Sequence, residues 1–474
     1  MKIPKKRLLI VGSGFAGVEL ARNMKSLVRR GIYDVTLIST HGYFEYYPGV
    51  YRIMIGETPI QTKIRLDQII PDCINVVEDT IVKVDPVAKQ IHGNGGTMYE
   101  YDELVLALGS VPNYFNVEGL QSGAFSFRTT GDAVKLRNHL HQLLIKTRTE
   151  DLNNEKALMH NLHIIIGGGG PIGVELAGAL SSYMRKMARV NKISASRVTI
   201  DLIDGGDSLL ARVPRSGSMR VAKFLGKRGV NVFLNRAIKK IEQETVILED
   251  ATLNAKTIVW TGGVTPNPLY ATVSNFECVK GRVSVDEYLQ AKNCIDVYIA
   301  GDGANTKQAG LAQTAMHDGK YLAKLFKAKG LSRSWPKYTE AKTGYVIPIG
   351  SNWALMVFGN FVWAGFIPGV IRYFIDVEYF LKRLPLAKFL DLYWEGFKYR
   401  RHRYIELPIE TSEKTKNNLQ SGLPGGASAE SGRAITYIVG FLAIIFLGIV
   451  GLGYINNKIG GDTSASITAG TLFK

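Results

Sequence analysis

The chain has 474 residues, enough for two or three domains with their own cores, and an ordinary hydrophobic share of 46%. A formal charge of +17, from 58 Lys and Arg against 41 Asp and Glu, suits a polyanionic partner. No helix-turn-helix pattern, zinc spacing or RNA-binding signature accompanies that charge, which points away from nucleic acid and from a metal site and towards an anionic membrane face.

Residues 7–11 form an apolar strand run that passes into a glycine turn and a helix pattern, and DVTLIS (34–39) is the next strand, completing a βαβ unit. The LLIVG after MKIPKKR is too short for the apolar region of a signal peptide. ELVLALGS (103–110) is another buried strand, closed by Gly109, and a helical stretch is expected over 131–158. A second βαβ unit starts at 162 and has its second strand at RVTIDLID (197–204). AKTIVWTGGVTPNP (255–268) and VYIAGDGA (297–304) each read as strand then loop, and LAQTAMHDGKYLAKLF (311–326) reads as a helix.

From 353 to 400 aromatic and apolar residues interleave with Lys and Arg at roughly helical spacing, as in an interfacial helix or a soluble core helix. Residues 406–433 have a linker composition, rich in Pro, Gly, Ser, Thr, Asn and Lys. AITYIVGFLAIIFLGIVGLGYI (434–455) carries no charge and is long enough to span a hydrocarbon core, so a transmembrane helix is expected there. Basic residues are densest before it, in YRRHRY (399–404), and only Lys458 and Lys474 follow, which places the large domain on the cytoplasmic side. The three cysteines, Cys73, Cys278 and Cys294, form no C-x-x-C spacing and fit a reducing compartment. Cys294 is expected to begin a strand as a buried thiol.

The chemistry lies in two glycine motifs, Gly12, Gly14 and Gly17, then Gly168, Gly170 and Gly173, each spaced G-x-G-x-x-G between a strand and a helix. In such a motif the first glycine permits a tight turn, the second lets backbone approach a pyrophosphate, and the third lets the helix pack on the sheet. Two correctly placed copies imply two dinucleotides. An acid commonly closes the second strand to hold the adenosine ribose. The second unit has Asp204 there, favouring NADH over NADPH, whereas the first has Ser39. The fold expected is α/β, with two Rossmann-like domains, C-terminal membrane-associated helices and one transmembrane helix.

The order of GGGPIGVELAGAL, YDELVLALGS, VDEYLQ, VYIAGDGA and AQTAMHDG resembles the two-dinucleotide-binding flavoproteins, and within them the type II NADH:quinone oxidoreductase family, over roughly residues 7–330. The resemblance implies FAD on Gly12, Gly14 and Gly17, with Ser39, Gly109, Gly301 and Asp302 contributing, and NADH on Gly168, Gly170, Gly173 and Asp204. It implies a first-domain span of 1–125 and 291–334, an NADH domain of 126–290, a membrane-associating region of 335–405, the linker 406–433, the spanning helix 434–455 and a tail of 456–474. Glu175, at the start of a helix, matches the family glutamate near flavin and nicotinamide. Gln313 matches a glutamine at the quinone site, and His317 stands where a second glutamine is common, followed by Asp318. YFEYYPGVYRIMIG (43–56) is similar to the segment lying against the flavin, best at Pro48 and Gly56. A membrane quinone, an anionic lipid surface and a homodimer follow as partners. Two other readings remain open: a sulfide:quinone oxidoreductase-like flavoprotein, which needs redox cysteines near the flavin, and a non-catalytic FAD- and NADH-binding tether or sensor.

Overall fold

A computed structural model of the chain describes residues 5–57, 59–149, 153–341 and 344–401. The expected linker (406–433), transmembrane helix (434–455) and tail (456–474) lie outside the described residues. Among those described, no helix is long and apolar enough to cross a membrane.

Strand β1 (Lys6–Val11) buries Leu8, Leu9, Ile10 and Val11 on both faces, the pattern of a central parallel strand. It leads through the first glycine turn into helix α1 (Phe15–Asn23), then β2 (Tyr33–Ser39), the short helix α2 (Tyr51–Met54), β3 (Asn75–Glu78) and β4 (Glu103–Leu106). The second unit begins with β5 (Phe125–Ser126) and α3 (Thr130–Thr149). It continues through β6 (His163–Gly167), α4 (Pro171–Val190), β7 (Thr199–Ile203), β8 (Val230–Phe233) and β9 (Thr257–Trp260). β10 (Val297–Ile299) and α5 (Ala312–Gly330) then return to the first unit.

The first sheet has the order β10-β4-β1-β2-β3 and the second β5-β9-β6-β7-β8, every pair parallel. Both sheets therefore run outward for three strands and then double back to the far side of the first, creating a switch point at the carboxyl ends of β1 and β6. Ile164, Ile165 and Ile166 are fully buried in the second sheet, each contributing about 1.5–3 kcal/mol. The units are tied together by Ser110–Pro112, which pairs antiparallel with Val264–Pro266.

Three sequence expectations change. The helix expected over 131–158 is two helices, α3 and a second at Glu155–Asn161, because the Asn154 side chain accepts the Ala157 N–H at 3.1 Å and starts a new N-terminus. Cys294 is buried but lies in the turn before β10 rather than on a strand. Residues 353–365 are not helical: β11 (Tyr345–Pro348), β12 (Ala354–Phe358) and β13 (Phe361–Gly365) form an antiparallel sheet. The Gly359-Asn360 turn explains this, since Gly359 takes φ +54 and the flanks are β-branched or aromatic without charge.

Helices α6 (Phe366–Leu381) and α7 (Leu386–Arg401) follow. The C-terminal region packs on both units. Ile347, Ile349, Leu355 and Val357 join the core of the second, while Phe374, Val377, Tyr379 and Phe380 of α6 join that of the first. Tyr46 meets Tyr379 at 4.9 Å and Phe380 at 4.8 Å between ring centroids. Phe361, Phe366, Ile367, Leu386, Leu390 and Trp394 remain exposed.

Candidate active site

The first glycine turn sits at the switch point of its sheet, where ligands bind in open parallel folds. Gly12 has φ +107, and a Cβ there would run into the Ala107 carbonyl at the end of β4. A Cβ on Gly17 would strike the Gly12 carbonyl, so α1 packs this closely only with glycine at that position. Gly14 differs: a Cβ there meets no protein atom within 4 Å. It faces a cavity of about 560 Å³ whose walls include Gly12, Gly14, Ser39, Gly109, Gly301 and Asp302 from the first unit and Pro171, Ile172 and Glu175 from the second. Tyr43, Tyr47, Pro48 and Tyr51 of the 43–56 segment form a further wall, while Gly56 does not line it.

Ser39 is buried at the end of β2, and its hydroxyl is saturated locally. It donates to the His41 carbonyl at 2.7 Å, accepts the His41 N–H at 3.3 Å, and lies 2.6 Å from Ser13 Oγ, which must then be the donor. Asp302 accepts from the Ser110 hydroxyl, which itself accepts from Arg128 Nη2 at 3.0 Å. Gly301 takes φ +72 and donates its N–H to Asp318 at 2.9 Å.

Asp318, which follows His317 on α5, fastens this turn to that helix. It is fully buried and accepts Tyr338 Oη–H at 2.8 Å. Desolvation pushes its carboxyl up to about 7, against the opposing pull of the Gly301 N–H and the Tyr338 hydroxyl. An acid whose folded pKa is raised binds more protons in the native state, so its ionisation costs stability as pH rises from about 4 to 7. Asp318→Asn removes that titration and keeps an acceptor. Its stability-versus-pH curve, from denaturant unfolding, is expected to lose a fall of a few kcal/mol between those limits relative to the parent.

Glu175 is the fifth residue of α4, in its second turn, where the helix dipole has largely decayed, so terminal stabilisation does not account for it. Desolvation pushes its carboxyl up to about 8, although Arg372 and Arg52 pull it down. Those arginines belong to a buried cluster that motif reading did not find. Asp376, fully buried on α6, pairs with Arg52 of α2 and Arg372 of α6 and accepts the Tyr46 hydroxyl. Arg372 Nη2 also donates to the Pro48 carbonyl at 3.0 Å, against the cavity wall. Asp376 and Arg372 stand four apart on α6, a signal visible in VIRYFIDVEYF once the helix is known.

The second glycine turn repeats the first. Gly168 has φ +111 and a Cβ there would lie 2.5 Å from Gly262 Cα, Gly173 packs against the Gly168 carbonyl, and Gly170 opens onto space free of protein within 4 Å. Asp204, the residue just past β7, accepts the N–H of Gly169 at 2.5 Å and of Gly206 at 2.6 Å, so its carboxylate is fixed beside the turn.

The remaining expected residues lie apart from the cavity wall. Gln313 is exposed on the first turn of α5, next to the lining residues Leu311 and Ala312. His317 is half-buried, donates Nε2–H to the Thr339 carbonyl at 2.8 Å and meets the Tyr338 ring edge-on. No cysteine lines the cavity: Cys73 is half-buried, Cys278 exposed and Cys294 buried elsewhere. Among the described residues no His, Cys, Asp and Glu group is placed to hold a metal ion.

Two parallel sheets, each with a glycine turn at its switch point and one turn opening into a cavity shared by both units, define an oxidoreductase fold built around two dinucleotides. Residues 6–319 match the pyridine nucleotide-disulphide oxidoreductase family, and the chain belongs to it. It is similar to the Type II NADH:quinone oxidoreductase of Staphylococcus aureus (strain NCTC 8325 / PS 47), with 25% identity over 376 residues, 75% of this chain and 90% of that protein. In structure it is similar to NDH2 from Plasmodium falciparum in complex with NADH, with a TM-score of 0.75 and 18% identity over 85% of this chain and 100% of that one. The sulfide:quinone oxidoreductase from the hyperthermophilic bacterium Aquifex aeolicus follows at a TM-score of 0.66 and 18% identity, over 79% and 90%.

Proposed function

We propose that the chain is an FAD-dependent NADH:quinone oxidoreductase of the type II class, which pumps no protons. The observation that carries this reading is the pair of glycine turns, the first opening into a cavity that Pro171, Ile172 and Glu175 of the second unit also wall and that no cysteine lines. The cradle fits a dinucleotide: Gly12 and Gly17 are closed against backbone, while Gly14 leaves open space for a group that is not protein. Gly12, Gly14, Gly109, Gly301 and Asp302 would hold FAD there, with Ser13 and Ser39 shaping the strand end. When bound, the flavin supplies two-electron chemistry, accepting hydride from NADH and releasing electrons to quinone.

The chain's own residues bind and orient. Gly168, Gly170 and Gly173 hold the NADH pyrophosphate, and Asp204, pinned by two backbone N–H groups, presents a carboxylate that accepts ribose hydroxyls and repels a 2′-phosphate. Glu175, with its pKa raised to about 8, keeps a proton at the cavity wall at neutral pH. Gln313 is a quinone contact at the cavity rim, and His317, whose Nε2–H is committed to Thr339, offers Nδ1 as an acceptor one turn on. A disulfide-type reaction lacks its dithiol here, which disfavours the sulfide reading despite the shared fold.

A membrane location follows from the exposed apolar residues of β13, α6 and α7 beside Lys382 and Lys388, which suit an anionic headgroup surface. Residues 434–455 would add a tail anchor, with the catalytic domain cytoplasmic and the chain paired as a homodimer. The test is steady-state reduction of a short-chain quinone by the purified, detergent-solubilised protein with NADH, NADPH or sulfide as reductant. The reading expects NADH to be preferred. Turnover with sulfide alone would move the protein to the other branch, and no turnover with any donor would favour a tether or sensor.

A further inference from the structure

We infer that Asp318 and Tyr338 are positioning residues for the cofactor turn Gly301–Gly303, so that the segment 333–340, which lies outside the cavity, helps to retain FAD. The inference deepens the reading of this cavity as the FAD site and rests on it. Its basis is a chain of hydrogen bonds that leads from the cavity wall into the protein. The Ala300 N–H still reaches the Leu106 carbonyl of β4 at 3.1 Å, but the chain then leaves the sheet. The next N–H, that of Gly301, goes to Asp318 Oδ2 at 2.9 Å. Gly301 and Asp302 line the cavity, whereas Asp318 is fully buried behind them. Its other oxygen, Oδ1, accepts Tyr338 Oη–H at 2.8 Å.

The segment beyond Tyr338 is itself fixed. The Tyr338 N–H donates to the Glu287 carbonyl at 2.7 Å, and the Pro336 carbonyl accepts Tyr321 Oη–H at 2.9 Å. The Thr339 carbonyl holds His317, and Glu340 accepts the Lys307 N–H at 3.1 Å. One buried carboxyl group therefore ties the turn to a braced part of the fold. The turn needs that brace because its first residue is glycine. At φ +72 a glycine adopts its conformation without penalty and leaves it as easily, so a contact has to set it. Without the Asp318 acceptor, the Gly301 N–H is buried and unpaired. The Ala300–Gly301 peptide then regains a partner only by rotating, which shifts Asp302 relative to the Gly12 turn. A dinucleotide that must meet both turns at once is held less tightly.

The experiment dilutes the purified, flavin-containing full-length protein into flavin-free buffer and follows FAD release by its fluorescence. Denaturant unfolding in saturating FAD is measured beside it. Asp318→Leu should release FAD about 10- to 100-fold faster than the parent, the loss expected for one charge-assisted hydrogen bond. Asp318→Asn keeps an oxygen for the Gly301 N–H and should stay within about 3-fold of the parent. Tyr338→Phe leaves the Gly301 bond but frees the carboxyl group from the segment, and should fall between the two. Because it removes a single hydroxyl, it carries the test if Asp318→Leu does not fold. A purely structural role would lower the unfolding midpoints of Asp318→Leu and Tyr338→Phe and leave their release rates parental, and that result overturns the inference. So would an Asp318→Asn protein that loses FAD as fast as Asp318→Leu. A parent that purifies without FAD and does not take it up would instead defeat the reading of the cavity, so the two failures are distinguishable.

Discussion

Gly14→Val is expected to give a folded protein that purifies without flavin. Gly14 has φ −73 and ψ −169, a conformation open to valine, and its Cβ direction meets no protein atom within 4 Å. The fold therefore has no reason to object, and the stability of the ligand-free chain should change by no more than about 1 kcal/mol. The branched side chain instead projects into the space between the turn and the cavity, where backbone must come close to a pyrophosphate. A loss of at least about 100-fold in FAD affinity is expected, read from the flavin-to-protein absorbance ratio and from reconstitution with added FAD. Gly12→Val is the contrasting control: φ +107 and the facing Ala107 carbonyl make that change a folding defect. A Gly14→Val protein that retains stoichiometric flavin would remove the first glycine turn from the cofactor site.

Gly170→Val should separate the second site from the first. Its backbone, φ −72 and ψ −177, also admits valine, and a Cβ again meets nothing within 4 Å. The variant is expected to keep its yellow colour, because the first turn is untouched, and to require at least about 100-fold more NADH for half-bleaching of the flavin in an anaerobic titration. Chemical reduction by dithionite should remain normal. If Gly170→Val bleached at parental NADH concentrations, the nicotinamide nucleotide would have to bind elsewhere.

Why these two glycines were legible while other parts of the site were not is a matter of range. The G-x-G-x-x-G turns are local: strand, turn and helix follow one another directly in sequence, and each glycine answers to a neighbour in the same segment or to the adjacent strand. The strand order follows from the same pattern, since two βαβ units with later strands doubling back leave few alternatives. Asp318 was half legible. Ala315, Leu322 and Phe326 mark the buried face of α5, and Asp318 falls on it, whereas His317 falls off it. A charge on an apolar stripe is the signal, and reading the two residues as a pair departing from a motif hid it. The Arg52–Asp376–Arg372 cluster was not legible, because it joins positions more than 300 residues apart through a helix whose composition fits an interfacial and a soluble core helix equally. One stripe of α6, carrying Arg372, Phe374, Asp376 and Phe380, is buried against protein. The hairpin at 354–365 was obscured by the same aromatic richness, although its Gly-Asn turn was visible.

The central claim is that one chain takes hydride from NADH at one glycine turn and gives electrons to quinone from a flavin held at the other. It is tested most directly by an anaerobic spectrum of the purified protein in detergent, recorded after adding NADH and again after a short-chain quinone. The account predicts prompt bleaching of the flavin bands by NADH and their full return with quinone, at one quinone reduced per NADH consumed. A flavin that stays oxidised in NADH, or that bleaches and is not reoxidised by quinone, would contradict it.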